Sequence, residues 1–473
     1  MKVLYAISEA LPFMATGGLG DVGGSLPQAL RKRLVGCRVV MPLYKGIRQE
    51  DRDQMKFITH ISVPVAWRNQ YCGIYEAQAG GVIYYLLDNE YYFKRDSIYG
   101  HYDDAERFAF FSRAVLEIIP FIDFKPDIIH CNDWQTALVP VYNSVIYAQK
   151  EGFENIKTVF TIHNIQYQGI YGRDILGNVL GIPENKSSLL EYDNAINLMK
   201  GGIECADTVT TVSPTYAKEI LDPWYSHGLD PILNARGYKL KGILNGIDDS
   251  GYNPADDKDI FYNYSADEPS NKAKNKAALQ ELFELPVNAG APLIGMISRL
   301  VQHKGFDLVM EVLDELLSTS DVQFAVLGTG DPVYENFFKS MTAKYPGRIG
   351  LHLGFVPDLA RKIYAGSDIF LMPSKSEPCG LSQMVALRYG TIPVVRETGG
   401  LKDSVTDSGD GQGNGFTFKS YSSQDMLNAI RRSIECYGDK TGWGRLVCRA
   451  LNCDNSWSRS ADEYIKMYKE LIK

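Results

Sequence analysis

Two positively charged side chains stand close together in one loop in the second half of the chain. Arg299 and Lys304 follow the apolar run 292–297 and precede a helical pattern. A guanidinium offers a planar pair of donors and an ammonium offers a mobile point charge, so together they can hold a diphosphate. The alternative is a solvated loop with two ordinary surface charges. Because the loop lies at the predicted carboxyl end of a strand, in a chain of net charge −8, we favour an anion site.

Two later apolar runs are also followed by residues that could contact an anion or a sugar. Glu377 follows the first, where Gly380 shapes a turn before the next helix, and Thr398 and Gly399 follow the second. Backbone amides at such turns and helix starts can face a phosphate or a sugar. Any one of these loops could follow a predicted strand by chance. The three loops together predict one anion-binding site in this half of the chain.

A glycine-rich loop follows the first apolar run of the chain. Gly18, Gly20 and Gly23 match the dinucleotide pattern GxGxxG, which also requires an acidic residue at the end of the second strand. The second strand here carries none, and Asp21 within the loop would repel a pyrophosphate. NAD binding is therefore disfavoured. We expect a loop whose backbone amides approach a ligand at a helix start, with a tight strand–helix turn as the alternative.

Polar side chains follow three other apolar runs in the first half. They are Asp133, Trp134, His163, Asn164 and Asn245. Each alone could be a core residue or a helix cap. As a set at the carboxyl ends of parallel strands, they favour groups that read the hydroxyls of a sugar.

The elements that must position these loops alternate between strands and helices. The predicted strands are 2–7, 38–41, 82–87, 127–130, 158–163, 208–212, 242–244, 292–297, 323–327, 349–353, 369–372 and 393–395. The predicted helices are 105–118, 272–283, 307–317, 381–389, 425–436 and 458–472. Most strand runs are continuously apolar, which is typical of parallel strands buried on both faces. The sequence therefore predicts an α/β fold with doubly wound, Rossmann-like sheets.

The length of 473 residues exceeds what one hydrophobic core supports, so we predict two domains. The polar stretch 248–271 interrupts the alternation and marks the boundary, which divides the chain into domains 1–245 and 246–456. The last helix, 457–473, could pack on either domain, including back on the first. Two doubly wound domains facing each other across a deep cleft would bring their strand ends to that cleft.

Composition narrows the class of function. The negative net charge argues against a nucleic acid or an anionic membrane as the main partner. The eight cysteines show no CxxC pair and no metal-like spacing, which indicates reduced thiols and a cytoplasmic location. No segment has the pattern of a signal peptide or a membrane span. The 29 tyrosines could stack against sugar rings, but tyrosine also commonly fills half-exposed positions of a protein core.

A metal-dependent reaction would need an Asp-x-Asp motif at the end of a strand. The two that occur, at 51–53 and 257–259, lie in polar stretches. We therefore predict no metal ion and no other cofactor.

The motifs taken together resemble one known family. The matching segments are Ser8 and Glu9 with 16–22, 130–134, 161–164, 245–248, 299–304, 377–381 and 398–401. They span nearly the whole chain in the family's order. The chain thus resembles bacterial glycogen synthases and plant starch synthases, which share the GT-B fold.

The resemblance implies a retaining transfer of glucose from ADP-glucose to the non-reducing end of an α-1,4-glucan. It also implies that no metal is used and that a cleft closes over the donor. The residues by themselves leave ADP-glucose and UDP-glucose both open. No second carboxylate is paired with Glu377 in the sequence pattern, so we expect no covalent glucosyl-enzyme.

The resemblance also implies a role for each site residue. Those at the reacting bond would be Arg299, Lys304, Glu377 and His163, with the two cations neutralising the diphosphate leaving group. Those that bind the nucleotide sugar would be Gly17, Gly18, Asp21, Asn164, Asn245, Phe355 against the adenine, Cys379, Gly380, Leu381, Thr398 and Gly399. Those on the acceptor and sugar side would be Asp133 and Trp134.

One position departs from the family pattern. Ala15 precedes the glycine loop where the family usually has lysine, so a cation that would reach the bound donor is absent. One preorganised donor at a transition state is worth roughly 10²–10³ in rate. A glucan-binding homologue with weak or no catalysis is therefore the second function that the sequence leaves open.

Overall fold

A computed structural model describes all 473 residues, which form two compact α/β units. The N-terminal unit comprises Met1–Asn245 and Trp457–Lys473, and the C-terminal unit comprises Gly246–Ser456. No helix has both the length and the apolar character needed to cross a membrane.

The N-terminal unit contains twelve strands and nine helices before the chain leaves it. The strands are β1 (Lys2–Ala6), β2 (Gly36–Pro42), β3 (Lys56–Val65), β4 (Arg68–Ala79), β5 (Val82–Asp88), β6 (Ile128–Asn132), β7 (Lys157–Ile162), β8 (Ile170–Tyr171), β9 (Glu191–Tyr192), β10 (Ala195–Asn197), β11 (Thr208–Thr211) and β12 (Leu240–Gly242). The helices are α1 (Gly18–Lys32), α2 (Gln49–Asp53), α3 (Glu90–Phe93), α4 (Asp104–Glu117), α5 (Leu138–Tyr142), α6 (Ile175–Asn178), α7 (Leu198–Cys205), α8 (Pro214–Glu219) and α9 (Asp230–Ala235).

Nine of these strands form one sheet, in the order β12-β11-β7-β6-β1-β2-β5-β4-β3. The strands from β12 to β5 run parallel, whereas β4 and β3 add an antiparallel hairpin at one edge. The residues of β1 from Val3 to Ala6 are fully buried, which confirms the prediction of strands covered on both faces. The short strands β8, β10 and β9 form a separate small sheet.

In this unit one predicted strand was placed wrongly and one hairpin was missed. The apolar residues at 243 and 244 suggested a strand over 242–244, but β12 pairs with β11 over residues 240–242 and ends where they begin. The hairpin β3–β4 was not predicted at all. Its strand β3 alternates buried residues such as Ile61 and Val63 with exposed ones, so it lacks the continuous apolar run that marked the parallel strands.

The C-terminal unit contains six strands and eight helices. The strands are β13 (Leu293–Ile297), β14 (Gln323–Gly328), β15 (Ile349–Leu353), β16 (Ile369–Met372), β17 (Ile392–Arg396) and β18 (Phe416–Phe418). The helices are α10 (Asn271–Leu282), α11 (Phe306–Thr319), α12 (Pro332–Lys344), α13 (Pro357–Gly366), α14 (Ser382–Arg388), α15 (Gly399–Ser404), α16 (Ser423–Gly438) and α17 (Lys440–Leu451). All six strands are parallel, in the order β15-β14-β13-β16-β17-β18.

This strand order locates the place where a ligand is expected. Counted within the unit, the order is 3-2-1-4-5-6, the doubly wound arrangement in which ligands bind beyond the carboxyl ends of the two strands where the winding reverses. That switch point lies between β13 and β16. In the N-terminal unit the corresponding switch point lies between β1 and β6.

The last helix, α18 (Trp457–Leu471), belongs to the N-terminal unit. It packs along α1. Its Tyr468 hydroxyl lies 2.6 Å from Nδ1 of His130, and its Ser460 hydroxyl donates to the carbonyl oxygen of Leu244 at 2.5 Å. The helix thereby covers the sheet beneath β6.

Candidate active site

The C-terminal switch point brings the predicted cation and acid together. Nζ of Lys304, in the loop after β13, donates to Oε2 of Glu377, in the loop after β16, at 2.6 Å. The hydroxyl of Ser374 donates to the same oxygen at 3.0 Å. The Lys304 and Glu377 side chains are only 19% and 10% exposed, so the pair is shielded from solvent and its electrostatic attraction is stronger than on an open surface.

A glycine allows the two loops to lie against each other. Gly305 has φ +81°, a conformation that favours glycine, and a Cβ built on it would lie 2.1 Å from the carbonyl oxygen of Pro373. The amide of Lys375 also donates to the carbonyl oxygen of His303 at 2.9 Å. These backbone contacts hold Lys304 beside Glu377.

The third predicted segment joins the same site. Gly399 begins α15 with φ +44°, and its built Cβ would lie 1.9 Å from the carbonyl oxygen of Glu377. The amide of Gly400 donates to that oxygen at 3.3 Å. The backbone after β17 therefore packs directly on the backbone that carries Glu377. Thr398 lies at the start of this helix and is buried.

Arg299 remains available at this switch point. Its side chain is exposed and makes no hydrogen bond or ion pair in the structure. Burial, and then the charge of Lys304, lower the pKa of the neighbouring His303, which keeps that imidazole neutral. Arg299 is thus an unneutralised cation at the carboxyl end of β13.

Cys379, Gly380 and Leu381 form the turn that leads into α14. Gly380 has φ +72°, Cys379 is buried, and Leu381 precedes the first helical residue. Phe355 lies apart from this group, in the loop that follows β15, where its ring is 89% exposed. The structure therefore gathers most of the predicted residues of this unit around β13, β16 and β17, with Phe355 at the end of an outer strand.

At the N-terminal switch point, Tyr5, Asn132 and His163 form a hydrogen-bonded group of neutral side chains. Oδ1 of Asn132 accepts from the Tyr5 hydroxyl at 3.0 Å and from Nε2 of His163 at 2.9 Å. Nδ2 of Asn132 donates to the carbonyl oxygen of Ala6 at 3.0 Å. Because Nε2 of His163 carries the proton in this arrangement, Nδ1 is left as an acceptor. Burial lowers the pKa of His163 to about 3, so the ring is neutral near pH 7.

Asp133 supports the loop that carries His163 and Asn164. Its Oδ1 accepts from the amide of His163 at 2.7 Å and from the amide of Asn164 at 3.4 Å. Burial raises the pKa of Asp133 to about 7, and these amide hydrogen bonds act against that rise. The structure thus shows a positioning contact for Asp133.

Trp134 and Asn245 are both buried, but in different surroundings. Trp134 is only 9% exposed, and its ring packs against Phe108 and Tyr171 at centroid distances of 5.1 and 6.2 Å. Asn245 is also buried, and its Oδ1 has no hydrogen-bond partner. A buried acceptor without a partner is costly, so this oxygen is a candidate to accept a hydroxyl of a ligand.

The glycine loop has two kinds of glycine. Gly17 faces open space just before α1, and Gly18 is the first residue of that helix. Gly20 and Gly23 instead allow close packing, since a Cβ on them would lie 2.3 Å from Cβ of Ala15 and 2.6 Å from the carbonyl oxygen of Glu9. The GxGxxG match therefore reflects, in part, the packing of α1 on the preceding segment. Asp21 lies in the first turn of α1.

Glu9 is a site residue to which the sequence pattern assigned no role. It is buried in the loop after β1, and its carboxylate accepts from the backbone amide and the hydroxyl of Thr16, and from the Tyr99 hydroxyl at 3.2 Å. Burial raises the pKa of Glu9. Glu9 therefore anchors the start of the glycine loop. The available signals were an acid shortly after the first strand and the place of Glu9 in a segment that matches the family.

The two Asp-x-Asp motifs are engaged in ion pairs with arginines of the chain. Asp257 pairs with Arg361 at 3.0 Å and accepts from the Tyr389 hydroxyl, and Asp51 pairs with Arg48 at 2.8 Å. Asp257 thus joins its polar segment to α13 and to Tyr389, whereas Asp51 pairs within its own segment.

Two doubly wound α/β units in one chain, each with polar loops at its switch point, are the architecture of GT-B glycosyltransferases. This is the class of protein that the fold and the two sets of residues define.

Comparison with known proteins identifies the family within that class. The starch synthase catalytic domain family matches residues 2–235, and the group 1 glycosyl transferases match residues 279–444. Glycogen synthases of Clostridium acetobutylicum and Alkaliphilus metalliredigens are 50% and 49% identical, and each alignment covers 100% of both chains. The catalytic domain of Arabidopsis thaliana starch synthase IV, bound to ADP and acarbose, superposes with a TM-score of 0.91 at 35% identity, covering 100% of this chain and 99% of that chain. The chain belongs to the glycogen and starch synthase family of glycosyltransferases.

Proposed function

We propose that this enzyme transfers glucose from ADP-glucose to the non-reducing end of an α-1,4-glucan with retention of configuration, as a 4-α-glucosyltransferase. The observation that carries the proposal is the Lys304–Glu377 pair beside the free Arg299 at the C-terminal switch point. The relatives named glycogen synthase and the structural neighbour that binds ADP and acarbose support the same donor and acceptor classes.

The leaving group defines the task of the two cations. When the bond between the anomeric carbon and the phosphate oxygen breaks, negative charge develops on the diphosphate. Fixed cations stabilise that charge without a metal ion. The guanidinium of Arg299 can donate two hydrogen bonds to the diphosphate, and the ammonium of Lys304 can move from Glu377 toward the diphosphate.

The environment of Glu377 favours a role in holding the sugar. Its carboxylate contacts a cation and a hydroxyl, and no second carboxylate of the C-terminal unit contacts it. A double displacement would use a pair of carboxylates about 5 Å apart. We therefore assign Glu377, with the amides of Cys379, Gly380 and Leu381, to the hydroxyls of the donor glucose.

Without a protein nucleophile, the acceptor must attack from the face that the diphosphate leaves. The new bond joins the acceptor 4-hydroxyl oxygen to the anomeric carbon, and the departing phosphate oxygen takes the hydroxyl proton. Charges and atoms balance in this step without any further reactant. Trapping a covalent glucosyl adduct on Glu377 would contradict this mechanism.

The neutral residues of the N-terminal unit are assigned to the sugars. His163, Asn164 and Asn245 would bind hydroxyls of the donor glucose, with the unpartnered Oδ1 of Asn245 as acceptor. Asp133 and Trp134 would lie toward the acceptor glucan. The remaining nucleotide-sugar contacts would come from Gly17, Gly18, Asp21, Thr398, Gly399 and Phe355 against the adenine.

The experiment that tests this function is a donor panel with a glycogen primer. We expect ADP release and chain extension with ADP-glucose, and much slower release of UDP from UDP-glucose. Equal use of both donors would contradict the choice of nucleotide. We also expect the activity to persist in the presence of a metal chelator. The enzyme should be located in the cytoplasm and should require neither nucleic acid nor a membrane.

A second function is favoured by one observation. Ala15 offers only a methyl group, packed against Gly20, at the position where the family usually carries a lysine. Glycogen binding without nucleotide release from any donor would identify a glucan-binding protein instead.

A further inference from the structure

A fully buried glutamine lies against the turn that leads into α14. Gln383 is the second residue of that helix, and it is inaccessible to solvent. Its Nε2 donates to the carbonyl oxygen of Gly380 at 2.9 Å and to that of Cys379 at 3.2 Å. Both carbonyls belong to the turn formed by residues 379–381, so the side chain of Gln383 holds two of the three peptide groups of this turn.

The same amide joins the turn to α15. Nε2 of Gln383 also donates to the Ser404 hydroxyl oxygen at 3.0 Å, and that hydroxyl donates to the carbonyl oxygen of Gly400 at 2.6 Å. Gly400 lies in the first turn of α15, where a Cβ built on it would lie 2.1 Å from the carbonyl oxygen of Cys379. Gln383 therefore connects the segment after β16 with the segment after β17.

The other polar atom of this amide has no hydrogen-bond partner. Oε1 of Gln383 is buried and unpartnered. A Cβ built on Gly380, which has φ +72°, would lie 2.5 Å from this oxygen and 3.0 Å from Cγ of Glu377. Oε1 and the side chain of Glu377 thus lie against the same face of Gly380. Turning the amide over would bring Oε1 against two carbonyl oxygens, so the hydrogen bonds of Nε2 fix the orientation.

A second buried glutamine of the same unit shows how a fully bonded amide differs. Nε2 of Gln280, on α10, donates to the carbonyl oxygen of Asn288 at 3.1 Å and to Oε1 of Gln323 at 2.6 Å. Oε1 of Gln280 accepts from the amide of Asn288 at 3.3 Å. Leaving a buried acceptor unpaired costs free energy, so Gln383 is held at a cost that Gln280 avoids. Groups held at such a cost are typical of functional sites.

We propose that Gln383 is a positioning residue for the donor glucose: it fixes the 379–381 turn against α15, so that the backbone amides of this turn meet the hydroxyls of the sugar. The proposal rests on the proposed function, which assigns those amides to the donor glucose. Gln383 itself would touch no substrate and would act through the backbone that it holds. Because hydrogen bonds weaken steeply as they lose alignment, a small displacement of the turn would weaken several contacts to the sugar at once.

The test compares Gln383→Met with Gln280→Met in the full-length enzyme. Methionine is close to glutamine in length and flexibility but has no amide. Gln280 is the matched control, because its partner Gln323 is the first residue of β14 and so lies at the edge of the sheet opposite the switch point. Urea unfolding measures stability, calorimetry measures the Kd of ADP-glucose and of ADP, and initial rates are measured with glycogen.

The two variants should differ in kinetics and not in the kind of stability loss. Both lose buried hydrogen bonds, so both should unfold at a lower urea concentration than the parent. Only Gln383→Met should lower kcat/KM for ADP-glucose, by about tenfold or more, and weaken ADP-glucose binding. Its Kd for ADP should stay unchanged, because ADP has no glucose for the turn to contact, and so should its KM for glycogen.

Gln383→Glu adds a measurement that a loss of stability alone would not move. An ionised carboxylate would face the carbonyl oxygens of the turn without a proton to donate, whereas a protonated carboxyl could donate one. Burial and the nearby Glu377 would raise the pKa of this carboxyl, and Lys304, which is paired with Glu377, would act against the rise. We expect kcat/KM of this variant for ADP-glucose, relative to the parent, to increase severalfold from about pH 8 to about pH 6. The same ratio for Gln383→Met should not depend on pH.

A parental kcat/KM for ADP-glucose in a folded Gln383→Met variant would overturn the proposal. So would equal weakening of ADP and ADP-glucose binding, which would make Gln383 a support of the whole site. If Gln383→Met does not fold, the pH dependence of Gln383→Glu decides, and a ratio that is constant with pH overturns the proposal. If the parent releases no nucleotide with glycogen, the proposed function fails, while the two Kd values still test the role of Gln383. A parent that does not bind ADP-glucose would contradict both.

Discussion

At the C-terminal switch point a lysine–glutamate ion pair lies beside a free arginine, whereas at the N-terminal switch point an asparagine and a neutral histidine are joined by a hydrogen bond. Lys304, Glu377 and Arg299 are held by loops that pack on each other through glycine. Asn132 and His163 are held by side-chain hydrogen bonds beneath a buried sheet edge. The contrast is the one that the proposed reaction requires, since a departing diphosphate needs fixed charge and a sugar needs hydrogen-bond donors and acceptors in fixed directions.

The largest effect is expected at the charged switch point. Lys304→Ala should lower kcat with ADP-glucose and glycogen by about 10²-fold or more, the range for a lost preorganised donor. Lys339→Ala, an exposed lysine on α12, should leave kcat unchanged. Steady-state rates for both variants make the comparison. A kcat for Lys304→Ala within a factor of two of the parent would remove Lys304 from the leaving group.

At the N-terminal switch point, substitutions can distinguish an effect on substrate binding from an effect on the stability of the protein. Asn245→Ala should lower kcat/KM by about tenfold, the loss of one hydrogen bond to substrate. It should not lower the free energy of unfolding, because Oδ1 of Asn245 has no partner to lose.

Asn132→Ala provides the matched contrast. The side chain of Asn132 is fully bonded, so its removal should cost about 1–3 kcal/mol of stability. Urea unfolding and initial rates of both variants distinguish the cases. A loss of stability in Asn245→Ala equal to that in Asn132→Ala would show that Asn245 is a structural residue.

Most strands and both sets of polar loops could be predicted from the sequence. The features that the sequence did not predict were missed for physical reasons. Strands such as β1 and β13 are apolar throughout and were easy to find. The pairing of Lys304 with Glu377 depends on β13 and β16, which are far apart in the chain, becoming neighbours in the sheet. The βαβ pattern predicts a parallel sheet but does not say which strands are neighbours. The partners of Glu9 and the burial of Trp134 depend on side-chain packing, which leaves no periodic signal. The hairpin β3–β4 alternates in polarity, as an edge with one exposed face must.

The pH dependence of stability tests whether the buried histidines are neutral. Burial lowers the pKa of His130 to about 3, while unfolded histidine titrates near about 6.5. Between these values the unfolded state binds a proton that the folded state does not, so stability falls as the pH falls.

His130→Gln isolates this contribution. The parent should lose stability relative to the variant by about 1.4 kcal/mol per pH unit between pH 6 and pH 4. The variant itself should be less stable at pH 7, since His130 contacts Thr161 and Tyr468 at 2.6 Å each. Urea unfolding at a series of pH values measures the difference. A difference that does not change with pH would mean that His130 titrates normally in the folded protein.

The smallest effect is expected where the sequence departs from its family. Ala15→Lys should raise kcat with ADP-glucose severalfold, less than the ~10² of a preorganised donor, because residue 15 is exposed and a lysine there would not be held in place. Ala15→Met supplies similar length without charge and should not raise the rate. An equal gain in both variants would show that side-chain bulk, and not charge, matters at this position.

The most direct test of the central claim is the release of nucleotide diphosphate from ADP-glucose in the presence of glycogen, with the anomeric configuration of the new linkage read by NMR. The account predicts ADP release matched one for one by new α-1,4 linkages, and loss of both in Lys304→Ala. Release of ADP with β-linked product, or no release from any donor, would contradict it.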